Sequence, residues 1–279
     1  MKIENPAGWI QAVFVILLAG VAWFRPLARK RKLITSALAV SAVGAIVLEQ
    51  YSTLWLNPLA ASVVRDWLPV VLLLFPYWQV GQFFTSADSD VEKRLAMFDH
   101  ALFRAFGITP AETSLSPATG VYLELAYVMV YPLIPLGLAT LYVMHSRQFV
   151  NYYWIVVLLA TYVCLGITPF VRAMPPRALD NYGMFRIPPS KLGALNRFIL
   201  RHASIQAITF PSAHVASSMA ASLVLLRVQP WAGLIFMFIA LSITIATVVG
   251  GYHYAADALL AVLVAIVVFA ATYPALRVR

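Results

Sequence analysis

The sequence has few charged residues and almost no cysteine. Only 11% of its 279 residues are Asp, Glu, Lys or Arg, whereas 62% are hydrophobic. A soluble domain has about a quarter of its residues charged and about half apolar. This composition excludes a soluble globular domain, because no core of this size could bury so many apolar side chains. The single cysteine, Cys164, excludes an intrachain disulfide and a cysteine-based zinc site.

Acidic residues are scarcer than basic ones. The chain has 11 Asp and Glu against 20 Lys and Arg, which gives a formal net charge of +9. The basic residues lie in short loops between apolar runs, where such residues usually contact lipid headgroups or set topology. We therefore expect membrane lipids as partners and no nucleic acid, and the sequence leaves the oligomeric state open.

The apolar residues are gathered into windows of about 20 residues, which is enough to cross roughly 30 Å of hydrocarbon. We predict eight spans, although the soft edges also allow seven or six. The windows lie near residues 8–24, 33–56, 67–85, 118–144, 150–170, 210–228, 231–250 and 254–275. The predicted fold is an all-α, polytopic transmembrane helical bundle.

Residues 88–106 have a different pattern. Apolar side chains recur there at three- and four-residue spacing among charged ones, which predicts an amphipathic helix lying in the membrane interface. The apolar positions are Val91, Leu95, Phe98, Leu102 and Phe106. We interpret residues 1–60 as an N-terminal pair of transmembrane helices, and residues 61–279 as a six-span core that includes this interfacial helix.

Three polar clusters stand at the boundaries of predicted spans. The fifth span ends at RAMPPR, residues 172–177. The sixth span begins at FPSAH, residues 210–214, and GGYHYAAD, residues 250–257, lies between the seventh and eighth spans. His214 and His253 are 39 residues apart, close to two membrane crossings of about 20 residues each. The sixth and seventh spans thus form a hairpin, and we expect all three clusters on one face of the membrane.

The histidines of these clusters suit chemistry at phosphorus. His253 and Asp257 are four residues apart and share one face of a helix. The carboxylate can accept the proton of one imidazole nitrogen and leave the other free as a nucleophile or base. His214 follows Ser212 at a predicted helix start, where backbone amides and the helix dipole favour an anion and the hydroxyl adds a donor.

Arginines supply the positive charge that a phosphate requires. Arg177, with Arg172 as a weaker candidate, can make bidentate contacts with phosphate oxygens. Both belong to a polar stretch, residues 172–209, which has the single acid Asp180 and which we interpret as a loop. We interpret its other basic residues as facing anionic lipid: Arg186, Lys191, Arg197 and Arg201. Together the clusters indicate an in-line displacement at the phosphorus of a lipid-borne phosphate.

These motifs resemble those of the type 2 phosphatidic acid phosphatase superfamily, whose signature is a basic RP-type motif, PSGH and HxxxD. Here PSAH at Pro211 to His214 stands for the second motif, and HYAAD at His253 to Asp257 for the third. The order and spacing agree over roughly residues 165–260. An HxxxD motif alone would be a weak signal, whereas the combination is specific.

The resemblance implies a role for each residue of the motifs. His253 would form a phosphohistidine, Asp257 would orient it, and His214 would protonate the leaving oxygen. Arg177 and Ser212 would bind the phosphate. The resemblance also implies that the enzyme uses no metal and no cofactor.

The sequence departs from the family pattern at two positions. Thr247 replaces the arginine expected six residues before the nucleophilic histidine, and Phe170 replaces the lysine expected seven residues before Arg177. MPPR at Met174 to Arg177 resembles the inositol phosphorylceramide synthase branch, which transfers a phospho-headgroup between lipids. A lipid phosphatase, such a transferase and a membrane transporter remain as alternatives. The polar residues gather at one face of the C-terminal half, which disfavours the transporter.

The side of the membrane that carries the site is ambiguous in the sequence. Residues 25–32 hold five positive charges and should be cytoplasmic, which with eight spans would place the site there too. The family resemblance implies the opposite face, and we expect an extracytoplasmic site in the cell (inner) membrane. Glu49 and Glu124 lie in or beside apolar runs, either as functional residues or as partners in internal hydrogen bonds.

Overall fold

The computed structural model describes residues 5–179, 182, 184–205 and 207–277, and these ranges contain α-helices and no β-strand. The fold is a polytopic helical bundle, as predicted. The helices are α1 Pro6–Phe24, α2 Arg29–Gln50, α3 Pro58–Leu72, α4 Leu74–Gly81, α5 Ser89–Ala105, α6 Pro117–Val128, α7 Val130–Val143, α8 Val150–Ile167, α9 Lys191–His202, α10 Ala213–Val228, α11 Pro230–Val249 and α12 Ala255–Arg277.

Several helices begin at a side chain that caps them. The Asn5 side chain accepts a hydrogen bond from the amide of Gly8 at 2.8 Å, and Asn57 does the same for Ala60 at 2.9 Å. In both cases proline follows the cap, where its missing N–H is not needed. These local signals fix where α1 and α3 start.

The number of spans differs from the predicted eight. Within the residues that the structure describes, six helical segments are long and apolar enough to cross a membrane, which is the lower end of the predicted range: 6–24, 29–50, 58–81, 147–170, 230–249 and 255–274. A seventh exists only if α6 and α7, which are bent by 59° at their junction, count as one. The window predicted at 210–228 corresponds to α10, whose 16 residues extend about 24 Å, less than the hydrocarbon thickness. The window predicted at 67–85 overlaps a segment that begins earlier, at Pro58, and ends earlier, at Gly81.

The short helix α10 lies at the centre of the bundle and contacts α7, α8, α11 and α12. Nearly every residue from Val215 to Leu225 is buried, and many are Ala or Ser. Such small residues allow neighbouring helices to approach closely. Because α10 is surrounded by protein, its length need not match the bilayer.

Two amphipathic helices lie outside these apolar segments. An α-helix occupies Ser89–Ala105, within the predicted range 88–106, and its position at a membrane interface stays a prediction. The second, α9, lies in the stretch that the sequence analysis treated as a polar loop. That interpretation was incomplete, because the basic residues of this stretch obscured the helical spacing of its buried Gly193 and Asn196.

The basic segment 25–32 lies at the end of the bundle where α10 and α12 begin. The Arg25 guanidinium donates to the carbonyl of Pro169 at 3.2 Å, directly before the RAMPPR cluster. Arg31 donates to the carbonyls of Gln82 and Phe84 at 2.8 and 2.7 Å, at the end of α4. The basic segment and the polar clusters therefore share one end of the bundle.

Cysteine labelling can test this arrangement in a membrane. Cys164 is buried in α8, so introduced cysteines should react against a low background. We expect Ala28→Cys and Ala178→Cys, both exposed, to react with an impermeant maleimide from the same side of sealed proteoliposomes. Thr53→Cys, at the opposite end, serves as the control and should react from the other side. Labelling of Ala28→Cys and Ala178→Cys from opposite sides would contradict the arrangement.

Candidate active site

His253 and Asp257 form a buried pair at the start of α12. His253 Nδ1 lies 3.1 Å from Asp257 Oδ2, and the two residues are 5% and 0% exposed. With the carboxylate accepting the Nδ1 proton, Nε2 keeps its lone pair. The four-residue spacing predicts both residues on one helix, whereas α12 begins at Ala255 and His253 lies in the preceding turn. The two side chains meet nevertheless.

A glycine turn joins the first and third clusters. Gly251 has φ of +65°, a conformation that favours glycine. Its carbonyl accepts a hydrogen bond from the amide of Arg177 at 3.1 Å. A Cβ at this position would also collide with the end of the Met184 side chain. The turn therefore requires glycine and holds Arg177 next to the segment that carries His253.

His214 stands in the first turn of α10. The Ser212 hydroxyl caps this helix by accepting from the amide of Val215 at 3.4 Å, and the Ser212 amide donates to the carbonyl of Asp257 at 3.4 Å. The His214 and His253 rings are 6.2 Å apart between centroids, at an angle of 68°. The two imidazoles can therefore contact the same small group from different directions.

Arg177 is held by an aromatic ring. Its guanidinium carbon lies 4.6 Å from the centroid of Tyr252, within cation–π range. The Tyr252 ring stacks on Tyr127 at 3.7 Å, and its hydroxyl donates to Glu124 at 2.9 Å. The Arg177 side chain itself is exposed, so its charge remains available to a ligand.

Glu49 and Glu124, for which the sequence predicts no partner, both form internal hydrogen bonds. Glu124 also accepts from the Asn196 side chain, which in turn donates to the Glu124 carbonyl at 3.0 Å. Glu49 accepts from the Asn5 side chain at 2.8 Å. Glu124 borders the site through Tyr252, whereas Glu49 lies at the opposite end of the bundle.

A cavity of about 110 Å³ brings three of the predicted residues together. Arg177, His214 and His253 line it, together with aromatic and loop residues that include Tyr252. Asp257 lies behind His253 and does not line the cavity. The described residues contain no group of three or more His, Cys, Asp or Glu that could hold a metal ion.

The remaining two predicted residues do not line this cavity. Ser212 is fully buried, and its hydroxyl contacts the α10 backbone as the helix cap. Arg172 lines a separate cavity of about 10 Å³ beside Phe83 and Thr168. Thr247, at the position of the absent family arginine, is buried, and its carbonyl accepts from the amides of Tyr252 and His253.

A larger, apolar cavity of about 330 Å³ adjoins the first. Its walls come from α3, α4, α7, α8, α9 and α10 and include Leu74, Ile134 and Ser217. Tyr77, Ser204 and His214 line both cavities. His214 therefore lies where a polar cavity meets an apolar one.

Asp99, on α5, is a site residue that the sequence analysis did not single out. It is fully buried and accepts hydrogen bonds from the backbone of Ala255 and Ala256 and from the Tyr182 hydroxyl. Burial raises the pKa of its carboxyl, and these hydrogen bonds partly oppose the shift. Its place on the same face of the predicted amphipathic helix as Leu95 was the available signal.

The chain was compared with known protein families, curated proteins and solved structures. The model of the PAP2 superfamily matches residues 93–271, more than half of the chain. The chain belongs to the PAP2 superfamily. Searches of curated proteins and of solved structures give no match. As a member of the PAP2, or type 2 phosphatidic acid phosphatase, superfamily, this membrane protein has a phosphatase-type function. The matched residues include all three polar clusters.

Proposed function

We propose that this PAP2 protein removes or transfers the phosphate of a membrane lipid through a phosphohistidine on His253. The observation that carries the proposal is the position of His214, where the polar cavity with Arg177 and His253 joins the apolar cavity. A lipid phosphate could place its headgroup in the first cavity and part of its chain in the second. Pockets that combine a mostly apolar wall with a few polar groups are typical ligand sites.

In the first step, His253 Nε2 attacks phosphorus and the bond from phosphorus to the lipid oxygen breaks. Protonated His214 gives its proton to that oxygen, so that the lipid leaves as an alcohol or a phosphate. Arg177 neutralises negative charge on the phosphoryl oxygens as they redistribute. Asp257 holds the His253 ring and stabilises the positive charge that develops on it.

In the second step, an acceptor hydroxyl attacks the phosphoryl group and the N–P bond breaks. Neutral His214 takes the proton from the acceptor, which regenerates both histidines. Water as acceptor gives a phosphatase, and an alcohol gives a transferase of the inositol phosphorylceramide synthase type. The same residues serve both outcomes, so the acceptor is decided by which molecule enters the cavity.

A substrate panel tests the reaction and its acceptor. The purified protein, in detergent with EDTA, is given phospholipids, both monophosphates and phosphodiesters with a headgroup, and polyprenyl pyrophosphates, with and without inositol or diacylglycerol. We expect turnover in EDTA, because Arg177 supplies the charge that neutralises the phosphate. Release of phosphate that depends on His253 establishes a phosphatase, and headgroup transfer without free phosphate establishes a transferase. Turnover of no substrate, or turnover independent of His253, would refute the proposal.

Blocking the apolar cavity should affect only substrates with long chains. Leu74 lines this cavity and is 46% exposed, so Leu74→Trp can fill space without disturbing the core. We expect kcat/KM to fall about tenfold for a long-chain lipid phosphate, equivalent to about 1.4 kcal/mol, and to stay unchanged for a short-chain analogue. Val71→Trp, also exposed and outside the cavity, is the matched control. Equal losses for both substrates would contradict chain binding here.

A further inference from the structure

Helix α5 contacts two of the three polar clusters through one of its faces. At its start, the amide of Asp88 donates to the carbonyl of Arg172 at 2.8 Å. One turn later, the Glu92 carboxylate accepts from the amide of Met174 at 2.8 Å. Two further turns along the same face, Asp99 reaches the start of α12. The helix thereby connects the RAMPPR segment with the segment that carries the histidine–aspartate pair.

The Asp99 carboxylate caps α12 from outside. Its two oxygens lie 2.9 and 3.0 Å from the amide nitrogen of Ala255, and one lies 3.3 Å from that of Ala256. The first amides of an α-helix have no acceptor within the helix and carry partial positive charge. The residue before α12 is Tyr254, whose side chain is not a capping group. Asp99 thus does for α12 what Asn5 does locally for α1.

The capped amides lie between His253 and Asp257 in the chain. Asp257 is in the first turn of α12, so the start and rotation of this helix set the direction of its carboxylate. His253 is outside the helix, and its 3.1 Å contact with Asp257 depends on that direction. We propose that Asp99 is a positioning residue that fixes the register in which Asp257 meets His253. The proposal rests on the proposed function, because that pair is the proposed nucleophile.

The surroundings of Asp99 favour this role over a general contribution to solubility. Asp90, in the first turn of α5, contacts neither cluster. Its side chain is 79% exposed and pairs with Lys93. Asp99, in contrast, is 0% exposed, and burying a carboxylate is costly unless it is well hydrogen-bonded. Its partners Ala255 and Tyr182 are remote in sequence, so its position has no local structural use within α5.

Three variants test the proposal on the full-length protein. We expect Asp99→Ala to lower kcat about 100-fold with KM within about twofold, since small misplacements of catalytic groups can cost that much. Asp99→Asn should recover most of kcat, because the amide oxygen can still accept from Ala255 and Ala256 while its nitrogen donates to Tyr182. Asp90→Ala, the matched control, should have wild-type kcat.

Hydrogen exchange provides a measurement that does not depend on turnover. In Asp99→Ala we expect faster exchange of the amides of Ala255 and Ala256, with protection retained there in Asp99→Asn and elsewhere in both variants. Wild-type kcat in Asp99→Ala, or a loss of kcat without faster exchange at these amides, would overturn the proposal. So would a loss in Asp99→Asn equal to that in Asp99→Ala. If the wild type shows no turnover that depends on His253, the proposed function fails, and the exchange data still decide whether Asp99 fixes this segment.

Discussion

Replacement of His253 by Gln is expected to remove turnover, with a loss of at least about 10⁴-fold in kcat, as for other covalent catalysts that lose their nucleophile. No other described side chain offers an unprotonated nitrogen beside Arg177 and His214 in this cavity. Gln is preferred to Ala because its amide can still donate to Asp257, which is 0% exposed and would otherwise be left unpaired. Phosphate release or headgroup transfer from the best lipid substrate is the measurement.

Two controls make this result specific to the nucleophile. His202→Ala, an exposed histidine on α9, should keep wild-type turnover. Brief incubation of the wild type with ³²P-labelled substrate, followed by quenching in base, should trap acid-labile label on the protein, and His253→Gln should trap none. Retention of a tenth or more of wild-type turnover by a folded His253→Gln protein would refute the phosphohistidine mechanism.

The convergence of the polar clusters could be predicted from the sequence because it follows from span lengths. Apolar runs of about 20 residues fix the number of crossings between His214 and His253, and two crossings return the chain to the same end. The lengths themselves were less predictable. Pro211 and the cap at Ser212 delay the start of α10 to Ala213, so a window that appeared long enough to span contains a shorter, enclosed helix.

Side-chain direction is the part of the site that the sequence could not supply. Ser212 has the residue type and place of a phosphate ligand, yet its hydroxyl is used by the α10 backbone. Arg172 is five residues from Arg177 in the chain but lines another cavity. Motif spacing fixes which residues are near a site, whereas caps and turns decide which of them face it.

The long-range contacts of the site could not be predicted from the sequence either. Asp99 and Ala255 are 156 residues apart, and no local pattern predicts a hydrogen bond over that distance. The pattern over 88–106 predicted an amphipathic helix in the membrane interface, and it gave no sign that Glu92 and Asp99 contact the clusters. The start of α12 at Ala255, which separates His253 from the helix of Asp257, depends on the same contact.

Replacement of His214 by Gln should produce a defect that depends on the leaving group. A lipid alkoxide leaves slowly unless it is protonated, so loss of the general acid is expected to slow cleavage of a lipid phosphate ester by about 10²- to 10⁴-fold. With p-nitrophenyl phosphate, the leaving phenolate needs no proton, and the first step should be nearly as fast as in the wild type. The second step still needs His214 to take the proton of water.

The expected time course follows from this difference between the two steps. His214→Gln should release p-nitrophenol in a rapid burst equal to the amount of enzyme, followed by slow turnover, while phosphoprotein accumulates. His253→Gln should give no burst, which distinguishes a missing acid–base from a missing nucleophile. Equal losses of His214→Gln with both substrates and no burst would show that this imidazole binds or orients the phosphate without transferring a proton. His214 lines both the polar and the apolar cavity, where the oxygen that joins headgroup to chain would lie in the proposed binding mode, and this position favours the proton-transfer role.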